Sequence, residues 1–404
     1  MATTIHNPDQ YMADFRQILA QGRKRLGLLL GAGAPASILV TPDKKNIIAD
    51  GQPLIPTVKI LTAEVMASLE NNQREILKKI CVDLGADPNI EKILSRIRAL
   101  AGALAANKME GLDGTAFGAL SSVICENIGK IVNVTLPHQA NAFSELAVWI
   151  GGTAREHAFE IFTPNYDLIM EEAFERARIP YFDGFSGSRE PFFDAASIAA
   201  DDAPSRWARL WKLHGSIGWD TNPAGEIIRG RGATATKLIY PTHEKYDEAQ
   251  KLPYSALIER FRRFLQTPDT LLMTIGFSFS DAHLTAVIDE ALAANKATSV
   301  IALQFNEIEF EPAACDMALR RANMSVYARD GAVINGIRAP WRLGDPPHQA
   351  WIAIRDTFWN HADNGSARGF LLGDFVAFAR YVARTRADQI LTLEDLVPTA
   401  KKNA

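Results

Sequence analysis

Leu26-Gly-Leu-Leu-Leu-Gly-Ala-Gly33 is an uncharged apolar run that closes on glycines. A strand buried on both faces of a parallel sheet needs such a run, and a tight turn at its end needs the glycines. Residues 9–25 carry Tyr11, Phe15, Ile18 and Leu19 at helical spacing, which predicts an amphipathic helix. Beyond residue 158, strand and helix signals alternate. Residues 159–162, 207–213, 237–240, 270–275 and 298–305 read as strands. Residues 168–176, 244–265 (with a break at Pro253), 281–294 and 312–321 read as helices. This alternation predicts an α/β fold with a Rossmann-like doubly wound parallel sheet.

Two stretches stand apart. Residues 61–158 have helical periodicity and almost no strand signal, which predicts a large helical insertion. Residues 339–404 read as largely helical, with Pro340, Pro346, Pro347 and Pro398 at the breaks. The expected organisation is therefore 1–60 for the first helix and first part of the Rossmann-like domain, 61–158 for the insertion, 159–330 for the rest of that domain and 331–404 for a helical C-terminal region.

Composition narrows the function. A chain of 404 residues, 47% hydrophobic and 22% charged, can bury a large core. Its formal charge of -4 and pI near 6.1 lack the basic footprint of a nucleic-acid binder. Arg23-Lys24-Arg25 and the trio Arg260, Arg262 and Arg263 fall in predicted helices and read as solvated faces. Cys81, Cys125 and Cys315 have no metal-ligand spacing, so no structural zinc is expected. Their odd, sparse count fits a reducing compartment. The polar start MATTIHNPDQ has no signal core, and the apolar stretch 26–40 is too short to span a bilayer and is broken by glycines and Pro35. The expectation is a cytoplasmic protein with no membrane association.

Four predicted strand ends carry the residues suited to chemistry. Gly31-Ala-Gly33-Ala-Pro-Ala36 matches the dinucleotide pattern G-x-G-x-x-G/A. Gly31 permits the turn, Gly33 lets N–H groups approach a pyrophosphate, and the next helix offers its positive end. A purely structural turn explains the same residues. Asp43 and Asp50 are both candidates for the ribose acid, and neither ends an obvious strand. In Phe162-Thr163-Pro-Asn165-Tyr-Asp167, Asn165 can hold a ribose hydroxyl or orient water, and Asp167 can accept a second hydroxyl; both also suit a helix cap. In Lys212-Leu-His214-Gly215, the imidazole suits proton abstraction from a sugar hydroxyl or water, although lone histidines are more often structural. His243 is not nominated as a base, and His283 at a helix start borders the pocket at most. Ile275-Gly276-Phe-Ser278-Phe-Ser280-Asp281 suits backbone and hydroxyl contacts to an adenosine, or a plain N-cap.

The order GAG, T-x-N-x-D, LHG, G-x-S, running from about residue 28 to 305, resembles the sirtuin superfamily. The resemblance implies an enzyme with NAD as substrate. It implies phosphate contacts at Gly31, Ala32 and Gly33, contacts to the nicotinamide ribose at Asn165 and Asp167 with Thr163 among the cofactor-binding residues, a catalytic base at His214, and adenosine contacts at Gly276 and Ser278. The protein deacylases of that superfamily differ. They carry a zinc ribbon of paired cysteines, a Gln where Pro164 stands, and an Asp-Phe-Arg element whose nearest counterpart here is Leu54-Ile-Pro-Thr57.

With these departures the chain is more similar to the bacterial sirtuin-like NADases of anti-phage defence, and in length to the partner of a HerA-type translocase. Leu372-Gly-Asp-Phe375 is also similar to that group. The resemblance then implies hydrolysis of NAD+ to nicotinamide and ADP-ribose without zinc. The amphipathic surfaces of the insertion and tail predict a homo-oligomer, and because an idle NADase would poison its cell, control by assembly or by a partner such as a HerA-type ATPase is expected. Two alternatives remain open: an NAD-dependent protein deacylase, and a non-catalytic regulatory subunit that binds NAD or ADP-ribose.

Overall fold

The computed structural model describes residues 4–85, 88–230, 252–346, 351–361 and 369–394. The strand expected at 237–240, His243, the start of the helix expected at 244–265, Pro347 and Pro398 lie outside the described residues.

The central sheet contains β1 (Arg25–Leu30), β2 (Glu160–Thr163), β3 (Tyr181–Phe182), β4 (Ala208–Lys212), β5 (Thr270–Ile275), β6 (Ser299–Leu303), β7 (Met324–Tyr327), β8 (Gly331–Ile334) and β9 (Ile337–Pro340). Across the sheet they run β9-β8-β7-β6-β5-β1-β2-β4-β3. Every pairing from β7 to β3 is parallel. The sheet is doubly wound. Leu28 and Leu30 of β1 enter the core on one face, and Leu29 enters the core on the other. The helices Tyr254–Gln266, Ala282–Ala294 and Pro312–Arg320 cover the second face. Both faces are therefore sealed, which is why the central strands read as continuous apolar runs.

β8 and β9 form an antiparallel hairpin at one edge. They correct the expectation of a helical region beginning at residue 331. Asn335 and Gly336 turn the hairpin with φ of 52° and 74°, and Asn-Gly suits that left-handed turn. Among the described residues, helices follow at Trp351–Phe358 and Phe375–Glu394. In Leu372-Gly-Asp-Phe375, a side chain on Gly373 would meet the Gln304 carbonyl at 1.9 Å. Asp374 Oδ1 accepts from the Ala377 N–H at 2.9 Å, so this segment docks and caps the last helix.

The first helix is Pro8–Ala20, capped by Asn7, so Arg23 and Lys24 lie in the turn before β1 and not on a helix. The inserted segment folds as Val58–Ser68, Asn71–Ile80, Ile90–Leu104, Gly114–Val132 and Ala142–Gly152. The apolar stripes of these helices, such as Ile93, Leu94 and Ile97 with Phe117, Leu120 and Ile124, share one core with Leu28 and Leu30 of the sheet. The insertion is thus packed onto one sheet face. Among the described residues no helix is long and apolar enough to cross a membrane.

Arg260 is buried, in contrast to the solvated face expected for it. Its guanidinium donates twice to Glu160 on β2, at 2.8 and 2.6 Å, and once to Asp201 at 2.9 Å. Trp211 Nε1 donates to the same Glu160 carboxylate at 2.8 Å. The network ties the helix Tyr254–Gln266 to β2 and β4. Removing one partner of a buried pair leaves an uncompensated charge. Glu160→Ala is expected to lower stability by about 3–5 kcal/mol, read as a shift of the denaturant unfolding midpoint; an unchanged midpoint would show the network to be idle.

Candidate functional site

β1 and β5 are neighbours, yet the chain leaves β1 for β2 on one side and β5 for β6 on the other. Their carboxyl ends flank the crevice at which open α/β sheets bind ligands. The two turns that leave these strands touch through their backbones. The Gly33 N–H donates to the Gly276 carbonyl at 3.0 Å. A Cβ on Gly31 would lie 2.1 Å from that carbonyl oxygen, and one on Gly33 would lie 2.7 Å from the Gly276 Cα. Gly276 itself has φ of 63° and its added Cβ would meet the Ala34 nitrogen at 2.5 Å. These glycines are required by each other before any ligand is considered. The Ala32 N–H has no hydrogen-bond partner among the described residues. The helix expected after this turn is the single turn Gly33–Ala36, too short to present an accumulated dipole to an anion.

The turn after β2 is fixed by Thr163. Its hydroxyl donates to the Leu30 carbonyl at 2.8 Å and accepts from the Asn165 N–H at 3.0 Å. Asn165 Nδ2 then donates to the Gly31 carbonyl at 3.1 Å, which leaves the side-chain oxygen of Asn165 available. Asp167 is buried and its Oδ1 accepts from the Ile169 N–H at 3.1 Å. Beneath it, Lys212 Nζ donates to the main-chain carbonyl of Asp167 and lies 3.3 Å from Glu171 Oε1.

The turn after β4 is joined to the turn after β2. Leu213 N–H donates to the Thr163 carbonyl at 2.8 Å, and Ile217 N–H donates to the Tyr166 carbonyl at 3.0 Å. Gly215, with φ of 92°, allows the sharp reversal. His214 between them is 4% exposed. Its Nε2 approaches Asp281 Oδ2 at 3.2 Å, but without hydrogen-bond alignment, so both ring nitrogens remain without a hydrogen bond among the described residues. Asp281 caps the helix Ala282–Ala294 by accepting from the His283 and Leu284 N–H groups. Burial opposes charge on Asp281, but His214 and the two capping amides outweigh it and hold the carboxyl below its ordinary value.

These four turns surround a cavity of about 210 Å³. The chain between β1 and β2 lines its other side. Ile55, Pro56, Val58 and Leu61 form an apolar wall, and Asn89 and Glu91 add polar groups at the start of the helix Ile90–Leu104. Burial pushes the Glu91 carboxyl up; nearby His214 opposes this and Asp281 adds to it.

The predicted residues Gly31, Ala32, Asn165, Asp167, His214, Gly276 and Ser278 therefore meet at one cavity. Thr163 and Gly33 do not line it; the Thr163 hydroxyl and the Gly33 N–H hold the turns to one another. Ser278 Oγ lies 2.6 Å from Ser280 Oγ at the exposed rim. Neither candidate ribose acid reaches the cavity. Asp43 accepts from Thr41 and Lys45 in a surface turn, and Asp50 is exposed. His283 is exposed beside the cap. Sequence reasoning missed Glu91, which stands in a helical segment without a motif. It also missed the role of Asp281 as the neighbour of His214. Among the described residues no group of three or more His, Cys, Asp or Glu could hold a metal ion.

Residues 160–327 match the family model of the SIR2-like domain. That segment includes Asn165, Asp167, His214, Gly276 and Ser278, and it excludes the glycine turn after β1 and the inserted helices. Three solved structures show similarity. A Sir2 enzyme is 14% identical, with 95% of this chain and 100% of that chain covered and a TM-score of 0.39. A Sir2 homologue in complex with NAD is 15% identical, with 81% and 90% covered and a TM-score of 0.30. A mutant Sir2 homologue in complex with ADP-ribose is 13% identical, with 74% and 87% covered and a TM-score of 0.31. No curated protein matches the chain.

The buried Glu171 beneath Asp167 generates a pH prediction. Burial pushes its carboxyl up to about 7 from an ordinary 4.5; Lys212 opposes the shift and Asp167 adds to it. A raised folded-state value means that the group's stabilising contribution is full below the unfolded value and is lost as pH rises through the folded one. Stability is thus expected to increase as pH falls from about 7 towards 4.5. Glu171→Gln should flatten that increase in urea titrations across this range. Identical pH profiles for parent and variant would exclude the assignment.

Proposed function

We propose that this chain hydrolyses NAD+ to nicotinamide and ADP-ribose, with Asn165 and His214 as its central catalytic residues. One observation carries the reading. The turns that bear Asn165, Asp167 and His214 converge with the glycine turns of β1 and β5 on one cavity, within a chain whose residues 160–327 match the SIR2-like domain. The residues suit the ligand. His214 offers a buried Nδ1 without a partner, Asn165 offers its side-chain oxygen, and Ala32 offers a main-chain N–H to a phosphate oxygen.

The chemistry follows from the leaving group. Nicotinamide departs as the ribose carbon gains positive character, so the site must hold the sugar and stabilise that charge. Asn165, braced on the Gly31 carbonyl, orients the ribose and water. His214, beside Asp281, takes a proton from a ribose hydroxyl or from water. Asp167 supports the ribose or Asn165.

An enzyme that destroys NAD+ endangers its own cell. The reading therefore includes low basal turnover, control by homo-oligomer assembly or by a HerA-type ATPase partner, and service as a cytoplasmic effector of anti-phage defence.

Chromatography of NAD+ after incubation with the purified protein, with and without a HerA-type partner, tests the proposal. Nicotinamide should appear without any acylated peptide. Asn165→Ala and His214→Ala should each reduce turnover by about 10²–10⁴-fold. Release that requires an acylated peptide, or variants that keep parental turnover, would refute it.

A further inference from the structure

Hydrolysis releases a proton from the attacking water, and that proton must reach solvent. His214 is poorly placed to deliver it. Its ring is 4% exposed and one nitrogen lies against Asp281. The same cavity is also lined by Glu91, which is partly exposed and whose carboxyl makes no hydrogen bond to any described group.

Glu91 is held in place by its helix. Asn89 caps Ile90–Leu104 by accepting from the Lys92 N–H at 2.9 Å. The Ile90 N–H donates to Thr62 Oγ1, also at 2.9 Å, which fixes the start of this helix to Val58–Ser68. The carboxyl is close enough to His214 and Asp281 to interact electrostatically with both. Burial is the largest influence on it and disfavours its charged form; His214 partly offsets this and the like charge of Asp281 reinforces it. A carboxylate so disfavoured is a stronger base than an exposed one.

We infer that Glu91, supplied by the helical insertion, takes the proton from the attacking water, leaving His214 to act on the ribose. The inference rests on the hydrolase reading above. In the step, the water oxygen bonds to the ribose carbon as the carbon–nitrogen bond to nicotinamide breaks. The electron pair of that bond passes to the nicotinamide nitrogen. One water proton passes to Glu91 and from there to solvent. The products are ADP-ribose, nicotinamide and one proton, and no oxidant or reductant is required. The insertion then completes the active site, and hydrolytic competence depends on a segment outside the matched residues 160–327.

The test uses the full-length protein under conditions that give parental NAD+ hydrolysis. Glu91→Gln keeps the side-chain volume and should lower kcat by about 10²–10⁴-fold with NAD+ affinity and melting temperature unchanged. Glu91→Ala should regain product formation when azide is added, as ADP-ribosyl azide, because azide needs no base to accept its proton. Parental kcat in Glu91→Gln, loss of NAD+ binding in that variant, or no azide product from a folded, NAD+-binding Glu91→Ala would each overturn the inference while leaving the hydrolase reading intact. A parental protein that never hydrolyses NAD+ would remove both.

Discussion

The site depends on a backbone contact between two turns. β1 and β5 are adjacent parallel strands, and the chain must leave both at the same edge of the sheet in opposite directions. The turns can pass only if neither carries a side chain at the crossing. Gly31, Gly33 and Gly276 meet that condition, and the Gly33 N–H to Gly276 carbonyl bond locks the crossing. The next two turns are attached to this point. Asn165 hangs from the Gly31 carbonyl, and the Leu213 and Ile217 amides tie the His214 turn to the turn that carries Asn165. The geometry of the cavity is therefore a chain of backbone-anchored contacts, each set by the one before it.

The inserted helices complete that geometry from the other side. Their apolar stripes are continuous with the core under β1, so the start of Ile90–Leu104 is held against the cavity by the same hydrophobic packing that stabilises the sheet. A segment of the chain that looks like an appendage thus supplies an apolar wall and one carboxyl group. The result is an imidazole that shares its cavity with two acids of different surroundings: Asp281, stabilised as an anion by His214 and capping amides, and Glu91, whose charge is disfavoured by burial. Carboxyls pushed apart in this way are suited to different tasks in one site.

Much of this was legible in the residues. The apolar runs at 26–30 and 270–275 are continuous because both faces of those strands are covered, and that composition announces a parallel sheet. Asn165, His214 and Gly276 each follow such a run, so their common edge follows from the fold. The Gly33 N–H and the Thr163 hydroxyl also hold neighbouring turns together, a task the motifs do not reveal. Other readings went astray for identifiable reasons. Arg260 shares a helix with Arg262 and Arg263, but its position on the helix points it at Glu160. Asn335-Gly336 was a hairpin signal inside a stretch read as helical.

The sequence by itself determined the central strands β1, β2, β4, β5 and β6, their parallel arrangement and the residues at their ends, because periodicity and glycine placement are local properties of the chain. Only the tertiary structure decided which polar groups remain free and which acids stand beside His214. Glu91 and His214 are separated by more than a hundred residues and no motif links them; their proximity arises when the insertion packs onto the sheet. Hydrogen-bond availability and electrostatic environment are set by such non-local packing, and one-dimensional patterns carry no record of it.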